Sequence, residues 1–309
     1  MKKNCSLIIG STGLIGRGLI ELLETESTYC ISRSPKLTET DKYFNFDISD
    51  QKKLESIINL LANEYEEINA YYLAGESSVE ASIVNPKESL LNSINPFIEF
   101  LDLMTKTNSK IVVASSGSVY DSRTSKDAYT ETDSIYAPSP YAASKLTLES
   151  ISQSFCESFG LNIKIARIFS VYGEGMERFF LYDLIKKIIN CESKIILHGS
   201  GEQVRDYLHV KDVAIGLKLI LNAGEPGEIY NLSSGEATSL DLLSKNIRSI
   251  MGKEEIEIVW DQSDSKGQRD IWYGDNSKIN SLGFKYTPLN NNIEALVNAI
   301  SDKLNSSHK

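Results

Sequence analysis

Cysteine is scarce in this chain of 309 residues: Cys5, Cys30, Cys156 and Cys191 stand far apart, with no Cys-x-x-Cys pair. Such spacing offers neither a disulfide framework nor a thiolate metal site, so idle thiols in a reducing, cytoplasmic compartment are the expectation. Histidine is scarcer still. His198, His209 and His308 share no ligand-like spacing with one another or with a cysteine, and no metal site is expected. Long apolar runs are missing too, since 111–114 and 195–197 fall far short of the ~20 residues a membrane helix needs. Met-Lys-Lys at the start is followed by a short apolar run that glycines between 10 and 18 interrupt, without a small-residue cleavage site, so no secretion signal is expected. Basic side chains are outnumbered, 32 Lys and Arg against 42 Asp and Glu, for a net charge of −10. Nucleic acid polymers bind through basic groups that neutralise phosphates, so none is expected as a partner, and an anionic ligand must meet locally placed arginines.

What the chain does have is apolar content, 41% with 15 Tyr and 10 Phe, which excludes global disorder. Its length allows about two domains at ~150 residues each. Strand-length apolar runs at 6–9, 29–32, 43–46, 70–73, 110–115 and 163–169 alternate with helical periods at 14–23, 51–62, 86–104 and 141–159. That alternation predicts βαβ units and a parallel sheet, hence an α/β fold. From Val171 to Ser200 the spacing reads as irregular and surface-like. A division is therefore placed near Val171, giving units 1–170 and 171–309, with the chain returning to the first unit at about 205–234.

The first strand runs into Gly10-Ser11-Thr12-Gly13-Leu14-Ile15-Gly16, and an apolar helix follows. Gly10 allows a tight turn, Gly13 lets backbone approach a pyrophosphate, and Gly16 permits close helix packing, while free amides at the helix start attract negative charge. All of these but Ser11 are read as dinucleotide contacts. An acid at the end of the second strand would receive the adenosine ribose of NAD, yet the chain reads Ser32-Arg33-Ser34. A guanidinium with two hydroxyls suits a 2′-phosphate, so NADP(H) is favoured and NAD(H) remains possible. Asp47, followed by Ile48, stands where a carboxylate accepts from the adenine amino group; a helix N-cap is its rival role.

Tyr141 and Lys145 are four apart, which places both on one face of a helix that Pro140 opens. The ammonium is expected to lower the phenol pKa toward working pH and to hydrogen-bond the nicotinamide ribose. Ser116, at the end of the fifth strand in Ser115-Ser116-Gly117-Ser118, can polarise the same substrate oxygen.

With those residues in view, the chain resembles the extended short-chain dehydrogenase/reductase family: NAD(P)-dependent nucleotide-sugar epimerases, dehydratases and ketoreductases. The likeness runs from Gly10 to Asp275-Asn276-Ser277-Lys278. It implies a Rossmann-type doubly wound parallel sheet with a smaller C-terminal α/β substrate domain. Carried over, Ser116, Tyr141 and Lys145 act on a hexose oxygen while hydride moves to or from nicotinamide. Leu73-Ala74-Gly75 and Ser77-Ser78 resemble the loop beside cofactor and pyrophosphate. Asn92 resembles a helix asparagine of the cofactor site, although Asn95-Pro96 replaces the usual Gly-Thr. Phe169 and Ser170 in Arg167-Ile168-Phe169-Ser170-Val171-Tyr172-Gly173 resemble the strand end that meets cofactor and sugar, with serine where asparagine is commoner. Arg205, in Val204-Arg205-Asp206-Tyr207, resembles a diphosphate-binding arginine, and Arg269 fits a second. Asp206 and Asp212 are expected to be structural. The resemblance also implies a homodimer through helices 86–104 and 141–159 and a place in surface-polysaccharide precursor synthesis.

Dehydratases of the family resemble a Thr-Asp-Glu version of the serine loop, and this chain has no carboxylate there. Two reactions remain: NADPH-dependent 4-ketoreduction of a nucleotide-linked 4-keto-6-deoxy sugar, which Arg33 favours, and NAD-dependent 4-epimerisation. A non-catalytic dinucleotide sensor is the reading from another class.

Overall fold

Branched and aromatic side chains favour extended backbone, and where both strand faces are covered they form the middle of a parallel sheet. Ile8, Ile9, Ile31, Tyr71, Tyr72, Val112, Val113, Ile163 and Ile165 do so here, all buried. The computed structural model describes residues 4–24, 27–34, 42–121, 127–263 and 271–306. The first half runs β1 (Cys5–Ile9), α1 (Leu14–Leu22), β2 (Thr28–Ser32), β3 (Tyr43–Asn45), α2 (Gln51–Glu64), β4 (Ile68–Tyr72), α3 (Val79–Val84), α4 (Pro86–Met104), β5 (Ser109–Ser116), α5 (Pro140–Phe159) and β6 (Asn162–Ile168). The second runs β7 (Ser170–Tyr172), α6 (Phe179–Ile189), β8 (Lys194–Leu197), β9 (Val204–Arg205), β10 (Tyr207–His209), α7 (Val210–Ala223), β11 (Ile229–Leu232), β12 (Thr238–Ser239), α8 (Leu240–Ile250), β13 (Glu257–Trp260), β14 (Ile271–Trp272), α9 (Ser277–Ser281) and α10 (Leu289–Ser306).

Seven strands form one parallel sheet in the order β11-β6-β5-β4-β1-β2-β3. The order reverses between β1 and β4, and a crevice opens at the strand C-termini at such a switch point. Alternation along β1 divides the core. Leu7 and Ile9 face Leu54 and Leu61 of α2, Phe97 and Leu101 of α4 and Leu148 of α5, whereas Ile8 faces Leu19 of α1 and Val213 and Leu217 of α7. β11 joins the sheet beside β6, so chain beyond residue 200 completes it. Among the described residues no helix is long and apolar enough to cross a membrane.

The irregular surface expected from Val171 to Ser200 is not what forms. Leu181, Leu184, Ile185 and Ile188 bury one face of α6, and Ile195 and Leu197 alternate inward on β8, joining α8 and α10 in a third core. The helical spacing of Leu181, Leu184, Ile185 and Ile188 is present in the sequence, interrupted by Lys186 and Lys187. Pro96 does not break α4 either: the helix continues through it, with no amide at Pro96 to bond the carbonyl of Asn92.

Candidate active site

Gly10 turns the chain out of β1 with φ at +90°, and a Cβ there would lie 3.0 Å from the backbone of Leu73 and Ala74, beyond β4. Gly16 is tighter. Its Cβ would meet the Gly10 carbonyl oxygen at 2.6 Å, so only glycine lets α1 begin so close to the turn. At Gly13 the nearest protein atom would be 3.4 Å away. The chain itself leaves room for a side chain at Gly13, which makes this glycine fit a group lying against the turn. Gly13 also gives α1 no side-chain cap, leaving first-turn amides for an anion. Leu14 packs toward the third core and Ile15 toward the α1/α7 side, while half-buried Thr12 completes the turn. Opposite, Gly75 adopts φ +117° and its Cβ would touch Ser93 Oγ at 3.3 Å. These residues fit a dinucleotide's pyrophosphate.

At the adenosine end, Arg33 Nε lies 3.9 Å from Asp47 Oδ2 on an open surface. Ser32 Oγ donates to the Ser34 carbonyl at 2.7 Å. Asp47 accepts from the Ser49 amide at 2.9 Å, the main cause that holds its carboxyl below the usual range, and Arg33 adds to it. The N-cap of α2 is Asp50, which accepts from Lys53 N at 3.3 Å, and Ile48 is buried beside it.

Ser139 caps α5 by accepting from Ala142 N at 3.2 Å, Pro140 opens the helix, and Ser82 of α3 accepts from the Tyr141 amide at 3.1 Å. So fixed, the Tyr141 phenol lies where the Ser116 hydroxyl acts to lower its pKa, and the Ser116 oxygen accepts from Ser118 N at 3.1 Å. Lys145 Nζ donates to the Ala114 carbonyl at 3.2 Å and lies 5.7 Å from the centre of the Tyr141 ring. The three residues expected from the sequence therefore meet. Their electrostatics do not follow the expectation. Burial raises the Tyr141 pKa and outweighs the effect of Ser116, with Glu76 raising it further and Arg178 lowering it. Lys145 is itself pulled down to about 8 by burial, against the pull of Glu76 and Glu149. Desolvation disfavours both charged forms, a cost that spacing along a helix does not reveal.

Two groups at the rim were not singled out from the sequence. Arg178, ahead of α6, donates to Ser77 Oγ at 2.8 Å, and Phe179 beside it has φ of +73°, rare for a bulky residue. Glu76 accepts from the amides of Ser77 and Ser78 at 2.7 and 2.8 Å. Ser78 caps α3 by accepting from Ala81 N. Asn92 lies exposed on α4, and it is its neighbour Ser93 whose hydroxyl accepts from Glu76 N at 3.2 Å. Phe169 is 4% exposed and packs against Trp272, the rings tilted by 34° with centres 5.4 Å apart. Ser170 pairs with Tyr207 between β7 and β10. Arg205 is half-buried on β9, with Nη1 donating to the Val204 carbonyl at 2.8 Å. Arg269 lies outside the described residues. Asp206 accepts from Ser234 N and Oγ, Gly235 N and Gly274 N, burial pushing it up to about 6 against those four donors. Asp212 accepts from Thr287 N at 2.8 Å. Both carboxylates tie elements together. Among the described residues no group of three or more His, Cys, Asp or Glu could hold a metal.

Residues 6–233 match the model of the "NAD dependent epimerase/dehydratase family". A putative UDP-glucose 4-epimerase of Methanocaldococcus jannaschii is 30% identical over 292 residues, covering 90% of this chain and 92% of the relative. A UDP-glucuronate 4-epimerase of Thermodesulfobacterium geofontis is 30% identical over 224 residues, 71% and 67%, and dTDP-D-glucose 4,6-dehydratase of Bos taurus is 26% identical over 296 residues, 90% and 83%. In fold, the chain superposes on a UDP-glucose 4-epimerase of Thermotoga maritima with a TM-score of 0.87 at 23% identity, covering 97% and 99%. The match spans the glycine turn, the β5 serine and the tyrosine–lysine helix together. This chain belongs to the NAD-dependent epimerase/dehydratase family, the extended short-chain dehydrogenase/reductases that act on nucleotide sugars.

Proposed function

We propose that the protein is a nucleotide-diphosphate-sugar 4-epimerase. The observation that carries this reading is the loop after β5: Ser116 stands beside the Tyr141 phenol, and Ser116-Gly117-Ser118 brings no carboxylate to the substrate. An acid there would be needed to move a second proton and expel a hydroxyl; without one, chemistry stays at the oxygen facing Tyr141. Glu76 is held by two amides as a loop staple. The 4-epimerase names of two relatives agree.

A bound nicotinamide would take hydride from the sugar carbon and return it. Tyr141 accepts the proton of the reacting hydroxyl and gives it back, Ser116 donates to the same oxygen, and Lys145 supplies a buried positive charge that favours the phenolate. Gly13 and the start of α1 hold the pyrophosphate of the dinucleotide, with Leu73 to Gly75 across the crevice. Ser77, Ser118, Ser170 and Arg205, with Arg269, hold the sugar nucleotide. Exposed Leu91 and Ile98 on α4 support a homodimer through α4 and α5. Cys5, Cys30, Cys156 and Cys191 form no disulfide, which supports a cytoplasmic setting.

A second reading, NADPH-dependent 4-ketoreduction, is favoured by Arg33 at the end of β2. Asp47 faces that guanidinium, so a 2′-phosphate would meet an acid as well as a base, and this supports NAD. Mass spectrometry of the cofactor released on denaturation separates the two. Stoichiometric NAD is expected; exchangeable NADP, with NADPH consumed by a 4-keto sugar nucleotide, would replace the epimerase by the reductase.

A further inference from the structure

Two consecutive residues of β5 each hold one residue of a single stripe on α5. The Ala114 carbonyl accepts from Lys145 Nζ at 3.2 Å and Ser115 Oγ donates to Glu149, while Ser116, next along the strand, stands beside the Tyr141 phenol. Tyr141, Lys145 and Glu149 follow one another at intervals of four, so they lie along one face of the helix. Glu149 is the member without a role at the substrate. It is 4% exposed, and Arg167 of β6 grips its carboxylate with Nε at 3.0 Å and Nη2 at 2.7 Å. Arg167 is fixed in turn, 4.7 Å from the centre of the Tyr120 ring and with Nη1 donating to the Glu131 carbonyl at 3.3 Å. Burying such a pair costs so much desolvation that it gives little net stability over apolar side chains of the same volume. A role beyond stability therefore suits it better.

We propose that Glu149 is the positioning residue of the tyrosine–lysine pair: its carboxylate, pinned by Arg167 and Ser115, keeps the neighbouring Lys145 ammonium charged and seated beneath Tyr141. This rests on the reading of Tyr141 and Lys145 as the groups that handle the proton. The charged groups that act on Lys145 are Glu76, from the loop after β4, and Glu149, from its own helix. Tyr141 has its ring centre 5.7 Å from the ammonium, Arg167 of β6 pairs with Glu149, and Arg178 acts on Tyr141. Burial works against the ammonium, and the two glutamates oppose it.

The test is the alkaline limb of the pH–rate profile, where loss of the Lys145 proton ends activity. Glu149→Gln removes the near negative charge and is expected to move that limb down by roughly one pH unit. Arg167→Gln leaves the Glu149 charge uncompensated and is expected to move it up. A purely structural role would slow both variants without separating their limbs. Because breaking a buried pair costs ~3–5 kcal/mol, the double variant Glu149→Gln/Arg167→Gln, which leaves no charge unpaired, is measured as well; its limb is expected to follow Glu149→Gln downward. Glu149→Asp, which keeps the charge, is expected to hold the wild-type limb. A wild-type limb in Glu149→Gln or in the double variant overturns the proposal. Tyr141→Phe is run beside them: full activity in that variant would instead overturn the underlying reading of the pair.

Discussion

On α5, Tyr141, Lys145 and Glu149 share one helical stripe; Ala114 and Ser115 of β5 hold the last two, and Ser116 stands beside the first. At the rim, Arg33, Arg178 and Arg205 come from loops or strand ends and meet Asp47, Ser77 and the Val204 carbonyl. Lys145 and Glu149 of the first group are buried and the stripe is repetitive; Arg33 and Arg178 of the second are exposed, Arg205 is half-buried, and their contacts are idiosyncratic. On the proposed reading, regular elements carry the chemistry, where a misplaced group is costly, while loops receive the nucleotide and cofactor, where exposed contacts are individually weak.

If that contrast holds, the largest effect lies on the α5 stripe. Tyr141→Phe should lower turnover by roughly 10²- to 10⁴-fold, the range of a lost acid–base group, with substrate affinity little changed, as steady-state kinetics and calorimetry would read. An effect below tenfold would place the chemistry elsewhere. Next comes a comparison within the glycine turn. Gly16→Ala should cost about 1–3 kcal/mol in thermal unfolding, because its Cβ would lie 2.6 Å from Gly10 O. Gly13→Ala, with nothing of the chain nearer than 3.4 Å, should unfold like the wild type yet bind dinucleotide poorly. Equal loss of stability in both would mean that Gly13 serves packing alone.

Lys145 offers a sign that can be checked. Its folded-state pKa, about 8, lies below the ordinary 10.5, so between those values the unfolded chain binds more protons and stability rises with pH. Below about 8 the charged lysine costs stability, on the order of 3 kcal/mol. Lys145→Met should therefore be inactive yet at least as stable as the wild type at pH 7, an advantage that fades toward pH 10.5. Destabilisation at pH 7 would contradict the cost assigned to burial. The smallest effect belongs to the rim: Arg33→Ala should change NAD affinity by less than about threefold, given its exposure and the 3.9 Å reach to Asp47.

The same contrast explains what the sequence disclosed. A spacing of four put Tyr141 and Lys145 together, and glycines at 10, 13 and 16 fit a turn between β1 and α1, because both patterns follow from local periodicity. Ser82, Ser93 and Arg178 reach the site from chain-distant or sequence-silent positions, Arg178 lying 101 residues from its partner Ser77. No spacing rule points to them. The net direction of the two pKa values was illegible for a related reason: charge spacing along a helix is legible in sequence, whereas the burial that raises the phenol and lowers the amine belongs to the assembled core. α6 was missed differently, since its apolar period was present and was read as surface.

The central claim, that Ser116, Tyr141 and Lys145 serve reversible hydride chemistry at C4 of a nucleotide sugar, is tested most directly with UDP-glucose and UDP-glucuronate deuterated at C4. With these and the corresponding dTDP-, GDP- and CDP-hexoses, each incubated with the purified protein and followed by NMR, one should give the C4 epimer with deuterium retained, because the same bound cofactor takes and returns it. Transfer of deuterium to free dinucleotide, or no C4 epimer from any member of the series, would contradict the account.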